Sequence, residues 1–273
     1  MIEDLTPDRI QRNLDSRIVG RALEHYPQAD STNDLARRQA RADHAEGLVI
    51  LADAQTAGRG RMGRAWIAPP GSSLLLSLLL RPTWLAPADA FSLTMLAGVA
   101  LCEAVEHVTP AHAALKWPND LLLPARTAAG PTLRKAAGIL SEIELTGEQI
   151  AWVVIGIGVN VSWSPSGVVD ERDLADVATS VGAAAGQPTE RLPLLRALLE
   201  RLDARYDALR RGGQADLFEC WRDRLATLGQ PVQIGLPHGD LRGVAEAVER
   251  SGALRVRDNH GALHMVLAGD VGG

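Results

Sequence analysis

The stretch Gln55-Thr-Ala-Gly-Arg-Gly-Arg-Met-Gly-Arg-Ala-Trp66 follows the apolar run Leu48-Val-Ile-Leu-Ala52, which predicts a buried strand. Its glycines match the G-x-G-x-x-G pattern of dinucleotide-binding folds, where a helix begins at the glycines and holds the pyrophosphate. Here Pro69-Pro-Gly71 follows soon after the glycines, and proline does not fit the interior of a helix. The sequence therefore argues against a doubly wound nucleotide-binding fold and predicts a loop over residues 54–72.

This loop combines glycine with arginine, which suits the binding of anions. Glycine lets backbone N–H groups approach an anion, and the arginine guanidinium matches the oxygens of a phosphate or a carboxylate. A solvated basic turn would explain the composition equally well. No G-x-x-x-x-G-K-[ST] P-loop occurs in the sequence. The loop is long for a compact domain, however, and that favours a functional or mobile segment.

Composition narrows the class of protein. A chain of 273 residues that is 46% hydrophobic can bury one large core and form a second, small domain. Its net charge of -5 argues against a nucleic-acid partner, so cationic function must be local. Cys102 and Cys220 lie in apolar, helical segments and are expected to be free thiols. We find no signal peptide and no apolar run judged long enough for a membrane, and therefore expect a cytoplasmic protein.

The first part of the chain predicts a mixed sheet packed with helices. The runs at residues 48–52 and 73–80 indicate buried strands on either side of the loop. Residues 135–145 alternate apolar and polar side chains and should pair with residues 150–161 as an antiparallel hairpin. Residues 124–134 are rich in small residues and are interpreted as a surface insertion.

The last part of the chain predicts helices and then short strands. The sequence is helical in character after Ser166, with a leucine stripe over residues 191–210. Beyond Leu228, short apolar runs separated by Gly, Asp, Asn and His indicate a small β barrel or sandwich. The expected fold is therefore α+β, with a domain over residues 1–226 and a C-terminal β domain over residues 227–273.

Two further polar clusters accompany the loop: Lys116-Trp-Pro-Asn-Asp120 and Lys135-Ala-Ala-Gly138. Each cluster alone is more typical of a solvated strand end or a turn. Together with the loop they supply cations, a carboxylate, an amide and glycines near the ends of strands. Ser31-Thr-Asn33 opens a helix and serves either as an ordinary N-cap or as a site for a polar ligand group. The combination predicts a site where a nucleotide phosphate meets a second anion.

Four motifs in this order resemble the signature of biotin–protein ligases. They are Gly58-Arg-Gly-Arg-Met-Gly-Arg-Ala-Trp66, Lys116-Trp-Pro-Asn-Asp120, Lys135-Ala-Ala-Gly-Ile-Leu140 and Gly156-Ile-Gly-Val-Asn160. Ser31-Thr-Asn33 and Gln55 fit the same pattern, so the resemblance runs over residues 28–160. It implies the biotin/lipoate ligase fold, which is similar to class II synthetases, and an SH3-like barrel over residues 229–271. We expect the form of the family that has no DNA-binding extension.

The resemblance implies an ATP-dependent ligase that works in two steps. Biotin and ATP first give biotinyl-5′-AMP and pyrophosphate, and a lysine of a biotin carboxyl carrier protein, an acetyl-CoA carboxylase subunit, then takes the biotinyl group. ATP would bring Mg²⁺, with Asp120 as its nearest protein group. A homodimer is a further expectation, whereas a nucleic-acid or membrane partner is not expected.

The resemblance also implies roles for individual residues. The catalytic residues would be Lys135, Arg61 and Asp120. Biotin would contact Ser31, Thr32, Asn33, Gln55, Gly58, Arg59, Arg61, Lys135, Gly138 and Gly156. ATP and the adenylate would contact Arg59, Arg61, Arg64, Trp66, Lys116, Asn119, Asp120, Lys135 and Asn160. Arg134 remains an alternative to Lys135, because the link over residues 124–134 is longer than is usual in the family.

Two other functions remain open at this point. A lipoate or octanoate ligase or transferase of the same fold would need a longer apolar tunnel for the acyl chain. A non-catalytic regulator that senses biotin or its adenylate would need no chemistry at all. Glu142 and Glu144 share one face of a predicted strand and could act as paired acids, but solvation at a sheet edge is the more ordinary outcome. His260 and His264 are interpreted as surface residues and not as metal ligands.

Overall fold

The computed structural model describes residues 5–127, 130–169, 172–236, 239–269 and 271–272. The strands, in chain order, are β1 Ala22–Tyr26, β2 Leu48–Ala52, β3 Ser73–Leu80, β4 Ala114–Lys116, β5 Asp120–Thr127, β6 Gly130–Thr146, β7 Gln149–Asn160, β8 Val168–Val169, β9 Arg172–Asp173, β10 Pro231–Leu236, β11 Gly239–Val248, β12 Leu254–Asp258, β13 Leu263–Val266 and β14 Val271–Gly272. The helices are α1 Pro7–Gln11, α2 Thr32–Arg41, α3 Phe91–Val108, α4 Leu174–Val177, α5 Val181–Ala185, α6 Arg191–Arg210 and α7 Gln214–Arg222.

The larger sheet has seven strands in the order β1-β2-β3-β7-β6-β5-β4. β1 pairs with β2 in parallel, and the other neighbouring strands pair antiparallel. Side chains alternate between the two faces of a strand, so Leu74, Leu76 and Leu78 join the core on the α3 side. Leu79 faces the other way and packs against α2. The sheet therefore has one face covered by α3 and a second face that α2 covers only in part.

Helix α3 is apolar almost all round because it lies inside the protein. The segment Pro87–Val108 is long and apolar enough to cross a membrane by length and composition, and 72% of its most apolar window is buried within the protein. The sequence-based judgement that every apolar run is too short was therefore wrong for this helix. Its packing between the sheet and α6 accounts for its composition.

The C-terminal residues form a separate antiparallel sheet with the strand order β13-β12-β11-β10-β14. Trp117, which precedes the turn into β5, joins this sheet to the larger one. Its indole Nε1 donates to the carbonyl of Gly252 at 2.8 Å, and its backbone N donates to Thr227 Oγ1 at 2.9 Å. A side chain at Gly252 would overlap the ring of Phe91, so the two sheets meet closely. The α+β fold with a small C-terminal β domain is confirmed.

Two parts of the predicted organisation were wrong. Residues 124–127 and 130–134 were interpreted as part of a surface insertion, but they lie in β5 and β6, which pair antiparallel with one shift of register between Leu121 and Leu122. Pro124 is tolerated there because β4 pairs only with Asp120, Leu121 and Leu122, which leaves the outer edge of β5 without a partner strand from this sheet. Residues 168–173 were expected to be helical, but β8 and β9 pair antiparallel.

Candidate functional site

The open face of the larger sheet carries a bare floor made of glycines. Ser77 of β3, Gly156 of β7 and Leu140 of β6 lie side by side in one row across the sheet. In the next row, Gly158 of β7 pairs with Gly138 of β6, which pairs in turn with Asp120 of β5. Because glycine has no side chain, other groups can lie directly against the backbone in both rows: Asn33 does so at Gly156, and the Trp66 ring does so at Gly158.

One end of this floor is uncharged and buried. The start of α2 lies over it, and Thr32 and Asn33 are 3% and 5% exposed. Ser77 Oγ lies 2.6 Å from Asn33 Oδ1 and 2.8 Å from Thr32 Oγ1. Since an amide oxygen only accepts, the single hydroxyl hydrogen of Ser77 goes to Asn33, and the single hydroxyl hydrogen of Thr32 lies between Ser77 Oγ and Gln55 Oε1, which is 3.2 Å from Thr32 Oγ1. Gln55 Oε1 accepts from the backbone N of Thr32 at 2.8 Å.

The glycine at position 156 is required by this arrangement. A Cβ atom there would overlap the amide oxygen of Asn33, so any other residue would push Asn33 away from Ser77. Ser31 is also buried and occupies the N-cap of α2, but its side chain makes no capping hydrogen bond. The interpretation of Ser31 as an ordinary N-cap is therefore not supported, and its assignment to the biotin site stays a prediction.

The other end of the floor is charged. Lys135 Nζ lies 2.7 Å from Asp120 Oδ1 and 5.7 Å from the centre of the Trp66 ring. The second distance is within the range of a cation–π interaction. Arg134 instead lies 3.6 Å from Asp176, on a different part of the surface. The geometry therefore supports Lys135 over Arg134 as the lysine of the site.

Residues 54–72 form a lid over the charged end. The lid folds back on itself, since Gly60 N donates to the Arg64 carbonyl at 2.7 Å and Trp66 N donates to the Gly58 carbonyl at 2.9 Å. The Trp66 ring lies on the glycine floor, where a Cβ at Gly158 would be 2.6 Å from the indole. The indole Nε1 is buried without a hydrogen-bond partner among the described residues. Trp66 thus covers the row that contains Gly138, which was predicted to contact biotin, and Asp120, which was predicted to contact ATP.

Two arginines of the lid are held in opposite ways. Arg59 Nη2 contacts Asp34 Oδ1 at 2.7 Å and Glu142 Oε2 at 3.3 Å, and both partners are carboxylates. Arg61 Nη1 donates to Asn119 Oδ1 and to the Gly269 carbonyl, both at 3.2 Å, and both partners are neutral. Arg61 therefore keeps its full charge for an incoming anion, whereas the charge of Arg59 is balanced by acids.

The foot of the lid is fixed by a buried ion pair. Asp53 follows β2, and its Oδ1 lies 2.7 Å from Arg191 Nη1 at the start of α6, where Arg191 is 2% exposed. His25 Nε2 lies 3.1 Å from the second oxygen of Asp53. Gly71 N donates to the Asp53 carbonyl at 2.9 Å, so the chain returns to the same point after the lid. The loop therefore begins and ends at the same buried ion pair.

Three further residues were predicted to contact ATP and the adenylate. Asn160 is buried, and its Nδ2 donates to the Thr179 carbonyl at 3.0 Å, which gives it a structural contact. Lys116 pairs with Asp120 in the strand register and extends the charged row by one strand. Arg64 lies on the exposed lid. The roles of all three in nucleotide binding stay predictions.

Several residues of the site were not predicted from the sequence. Ser77 had a signal, because a lone serine interrupts the leucine run of β3 on the face that carries the site. Glu142 was expected to be solvated at an edge. It does lie on a stretch of β6 that β5 does not reach, but its side chain contacts Asn33, Arg37 and Arg59. Gly269 gave no signal, since its contact with Arg61 joins residues 208 positions apart.

Thiol and metal chemistry find little support in the described residues. No group of three or more His, Cys, Asp or Glu side chains there could hold a metal ion. Burial raises the pKa of the Cys102 thiol to about 12, so the thiol stays neutral in the core of α3. Cys220 lies on α7, where it contacts Arg205. Neither thiol is near the glycine floor, and neither supplies a nucleophile to it.

Comparisons with known proteins agree with this geometry. Residues 26–160 match the family model described as the biotin/lipoate A/B protein ligase family, and residues 227–271 match that of the biotin protein ligase C terminal domain. The chain is 36% identical over 279 residues to the biotin--[acetyl-CoA-carboxylase] ligase of Mycobacterium tuberculosis, which covers 98% of this chain and 96% of that protein.

A more distant relative and a solved structure give the same result. The bifunctional ligase/repressor BirA of Bacillus subtilis is 31% identical over 267 residues, which is 98% of this chain and 78% of that protein. The structure of the biotin protein ligase from Aquifex aeolicus in complex with biotin and ATP has a TM-score of 0.71 at 25% identity, covering 92% of this chain and 98% of that one.

Proposed function

The chain belongs to the family of biotin protein ligases, and from that premise we propose that it activates biotin with ATP and transfers it to a carrier protein. The product of the first step is biotinyl-5′-AMP, with pyrophosphate released. In the second step the ε-amine of a lysine on a biotin carboxyl carrier protein becomes an amide of biotin, and AMP leaves.

One observation carries the proposal: a single floor has uncharged hydrogen-bond acceptors at one end and cations at the other. Asn33 Oδ1 and Gln55 Oε1 are acceptors at the first end, and the two N–H groups of a ureido ring need such partners. Lys135 and Arg61 lie at the second end, where a carboxylate and a phosphate need cations. Biotin carries a ureido ring and a carboxylate at its opposite ends.

The charged end has a definite task in the first step. The carboxylate oxygen of biotin attacks the α-phosphorus of ATP, and the bond from that phosphorus to the pyrophosphate oxygen breaks. Two unit charges 4 Å apart repel by about 1 kcal/mol in water and by about 4 kcal/mol at an effective dielectric near 20. Lys135 is oriented by its ion pair with Asp120, and Arg61 is held by the neutral Asn119, so Arg61 supplies the unbalanced positive charge that offsets this repulsion without having to reorganise.

The second step needs a base and an exclusion of water. The attacking lysine must lose a proton as its nitrogen bonds to the acyl carbon and the bond from that carbon to the AMP oxygen breaks. Asp120 is the proposed acceptor, since its carboxylate lies in the charged row beside Lys135. The lid with Trp66 and Arg61 would keep water from the mixed anhydride until the carrier arrives.

Three finer expectations belong to the same proposal. Mg²⁺ would enter with the phosphates of ATP near Asp120, because the described residues provide no cluster of ligands for it. The protein would work in the cytoplasm, where its carrier is made. Two copies would form a homodimer, which sedimentation with and without biotin and ATP tests. A monomer under both conditions would contradict the last expectation.

The alternative substrates are lipoate and octanoate, which lack the ureido N–H groups. A site built around hydrogen bonds rejects an analogue that lacks the partner groups by about 10⁴- to 10⁵-fold, because its own polar atoms stay unpaired. A regulator without catalysis would bind the same ligands but would release no pyrophosphate.

One assay separates these functions. The protein is mixed with ATP, Mg²⁺ and either biotin or lipoate, and both pyrophosphate release and labelling of a biotin carboxyl carrier domain are followed. We expect pyrophosphate and carrier labelling with biotin alone. Pyrophosphate with lipoate but not biotin would replace the proposal by its first alternative, and binding without pyrophosphate would replace it by a regulatory function.

A further inference from the structure

Glu142 lies on the same face of β6 as the glycine floor, beyond its uncharged end. Its carboxylate contacts three groups: Asn33 Nδ2 at 2.8 Å, Arg37 Nη1 at 3.2 Å and Arg59 Nη2 at 3.3 Å. The side chain is 23% exposed. Although β5 pairs with β6 only as far as Gly138, contacts from α2 and the lid keep Glu142 from being a freely solvated edge residue. The two-step reaction as described gives this carboxylate no role.

The first contact decides which way the Asn33 amide points. A carboxylate accepts hydrogen bonds and cannot donate, so the Asn33 atom that faces Glu142 must be the Nδ2 donor. The second hydrogen of Nδ2 goes to the Leu140 carbonyl at 3.3 Å. Both amide hydrogens are therefore used, and Oδ1 turns toward Ser77 and Gly156. Asn33 offers the floor an acceptor and no donor.

The other contacts decide what the lid's first arginine can do. Arg59 and Arg37 face the carboxylates of Asp34 and Glu142, so two positive charges meet two negative ones. Such a balanced cluster holds the lid to α2 and β6 without drawing an anion toward Arg59. The same glutamate thus contacts both the uncharged end of the floor and the first half of the lid.

We propose that Glu142 is a positioning residue that sets the Asn33 amide as an acceptor for the ureido ring and at the same time anchors the lid through Arg59. This inference rests on the proposed function, because it assigns the ureido group to the uncharged end. Glutamine at position 142 has one acceptor and one NH₂ group. It cannot accept from both Asn33 and Arg59 with charged oxygens, so it weakens at least one of the two links.

The test compares Glu142→Gln with Glu144→Gln in the full-length protein. Glu144 is the same residue type two positions along the same strand, and it is exposed. We expect Glu142→Gln to raise the KM for biotin in pyrophosphate release about tenfold, the effect of losing one charge-assisted hydrogen bond, while kcat changes by less than about threefold. Glu144→Gln should match the wild-type protein. A general loss of structure would lower kcat as well, so the split between KM and kcat is informative.

A second readout needs no ligand. The lid contains Arg59, Arg61 and Arg64, so trypsin cleavage reports its release from the body of the protein. We expect Glu142→Gln to be cleaved in the lid several-fold faster than Glu144→Gln, with cleavage elsewhere unchanged. If Glu142→Gln does not fold, Glu142→Asp carries the same readouts, because it keeps the charge but withdraws the carboxylate by one C–C bond, about 1.5 Å.

A double-mutant cycle tests the route through Asn33. If Glu142 acts on biotin binding through that amide, Glu142→Gln adds little to the KM of an Asn33→Ala variant. Additive effects would overturn the inference, as would a Glu142→Gln protein that matches Glu144→Gln in either KM or lid cleavage. The wild-type protein, assayed alongside, separates the proposed function from this inference. If it releases no pyrophosphate with biotin, the proposed function is rejected. The rate of lid cleavage in the variants then tests by itself whether Glu142 anchors the lid.

Discussion

The two arginines Arg59 and Arg61 are two residues apart in one motif, yet they have different surroundings. Arg59 meets two carboxylates, Asp34 and Glu142, and its charge is balanced before any substrate arrives. Arg61 meets an amide oxygen and a backbone carbonyl, which fix its direction but leave its charge. The difference teaches that a cationic motif does not by itself reveal which cation binds an anion. The charge of the groups that contact each arginine shows whether its own charge is left for an anion.

We expect the largest effect from replacing Lys135, which was assigned to the charged end of the floor together with Arg61. Lys135→Ala should lower the rate of adenylate formation by about 10²- to 10³-fold, the effect of removing one preorganised donor to developing charge. The fold should survive, because Lys135 is partly exposed and its ion pair with Asp120 contributes about 1 kcal/mol or less. Pyrophosphate release and a thermal melt measure the two quantities.

Arg134→Ala is the matched control for this prediction, since Arg134 is the neighbouring cation and its side chain faces Asp176. It should keep the wild-type rate. Normal adenylation by Lys135→Ala would show that Lys135 is wrongly assigned. Loss of adenylation in Arg134→Ala would then assign the role to Arg134.

The direct comparison comes next. Arg61→Gly should release bound adenylate about 10- to 100-fold faster, because it loses a charge-assisted contact to the ligand. Arg59→Gly should change the release rate by less than about fivefold, since it loses only partly exposed ion pairs. Retention of radiolabelled adenylate after rapid gel filtration measures both rates, and equal leakage from the two variants would remove the distinction drawn between them.

The smallest effect concerns the floor beneath Trp66. A Cβ at Gly158 would be 2.6 Å from the indole, whereas a Cβ at Gly138 would be 3.2 Å from it. Overpacking destabilises by about 1 kcal/mol or more, so Gly158→Ala should make trypsin cleave the lid about fivefold faster. Gly138→Ala should lie between this variant and the wild type. The reverse order would mean that Trp66 does not rest on the row through Gly158.

The sequence predicted the fold where local pattern and burial agree. The strands β2 and β3 are continuous apolar runs, and prolines after the glycines excluded a helix, so a loop was predicted between them. The hairpin of β5 and β6 was missed at residues 124–134. Small residues and prolines give no strand signal there, and the pairing is supplied by the neighbouring strand.

The residues of the candidate site also divide into those that the local sequence predicted and those that depend on long-range contacts. Arg61, Asn119, Asp120 and Lys135 were proposed together from the motifs, and the structure brings them within contact of one another, although their roles stay predictions. Glu142 could not be predicted in its present place. Its environment depends on the position of α2, whose Asn33 and Arg37 contact it from more than a hundred residues away along the chain.

The hydrogen bond from Arg61 to the Gly269 carbonyl has a consequence for how the protein is made. The glycine floor is complete once Gly158 has been synthesised, but the carbonyl that holds Arg61 follows more than a hundred residues later. At about 5 to 20 residues per second, a nascent chain spends about 5 to 20 seconds with its floor built and its second lid arginine held only by Asn119. During synthesis, Lys135 and Asp120 of the charged end are therefore available well before the C-terminal carbonyl that completes the hold on Arg61.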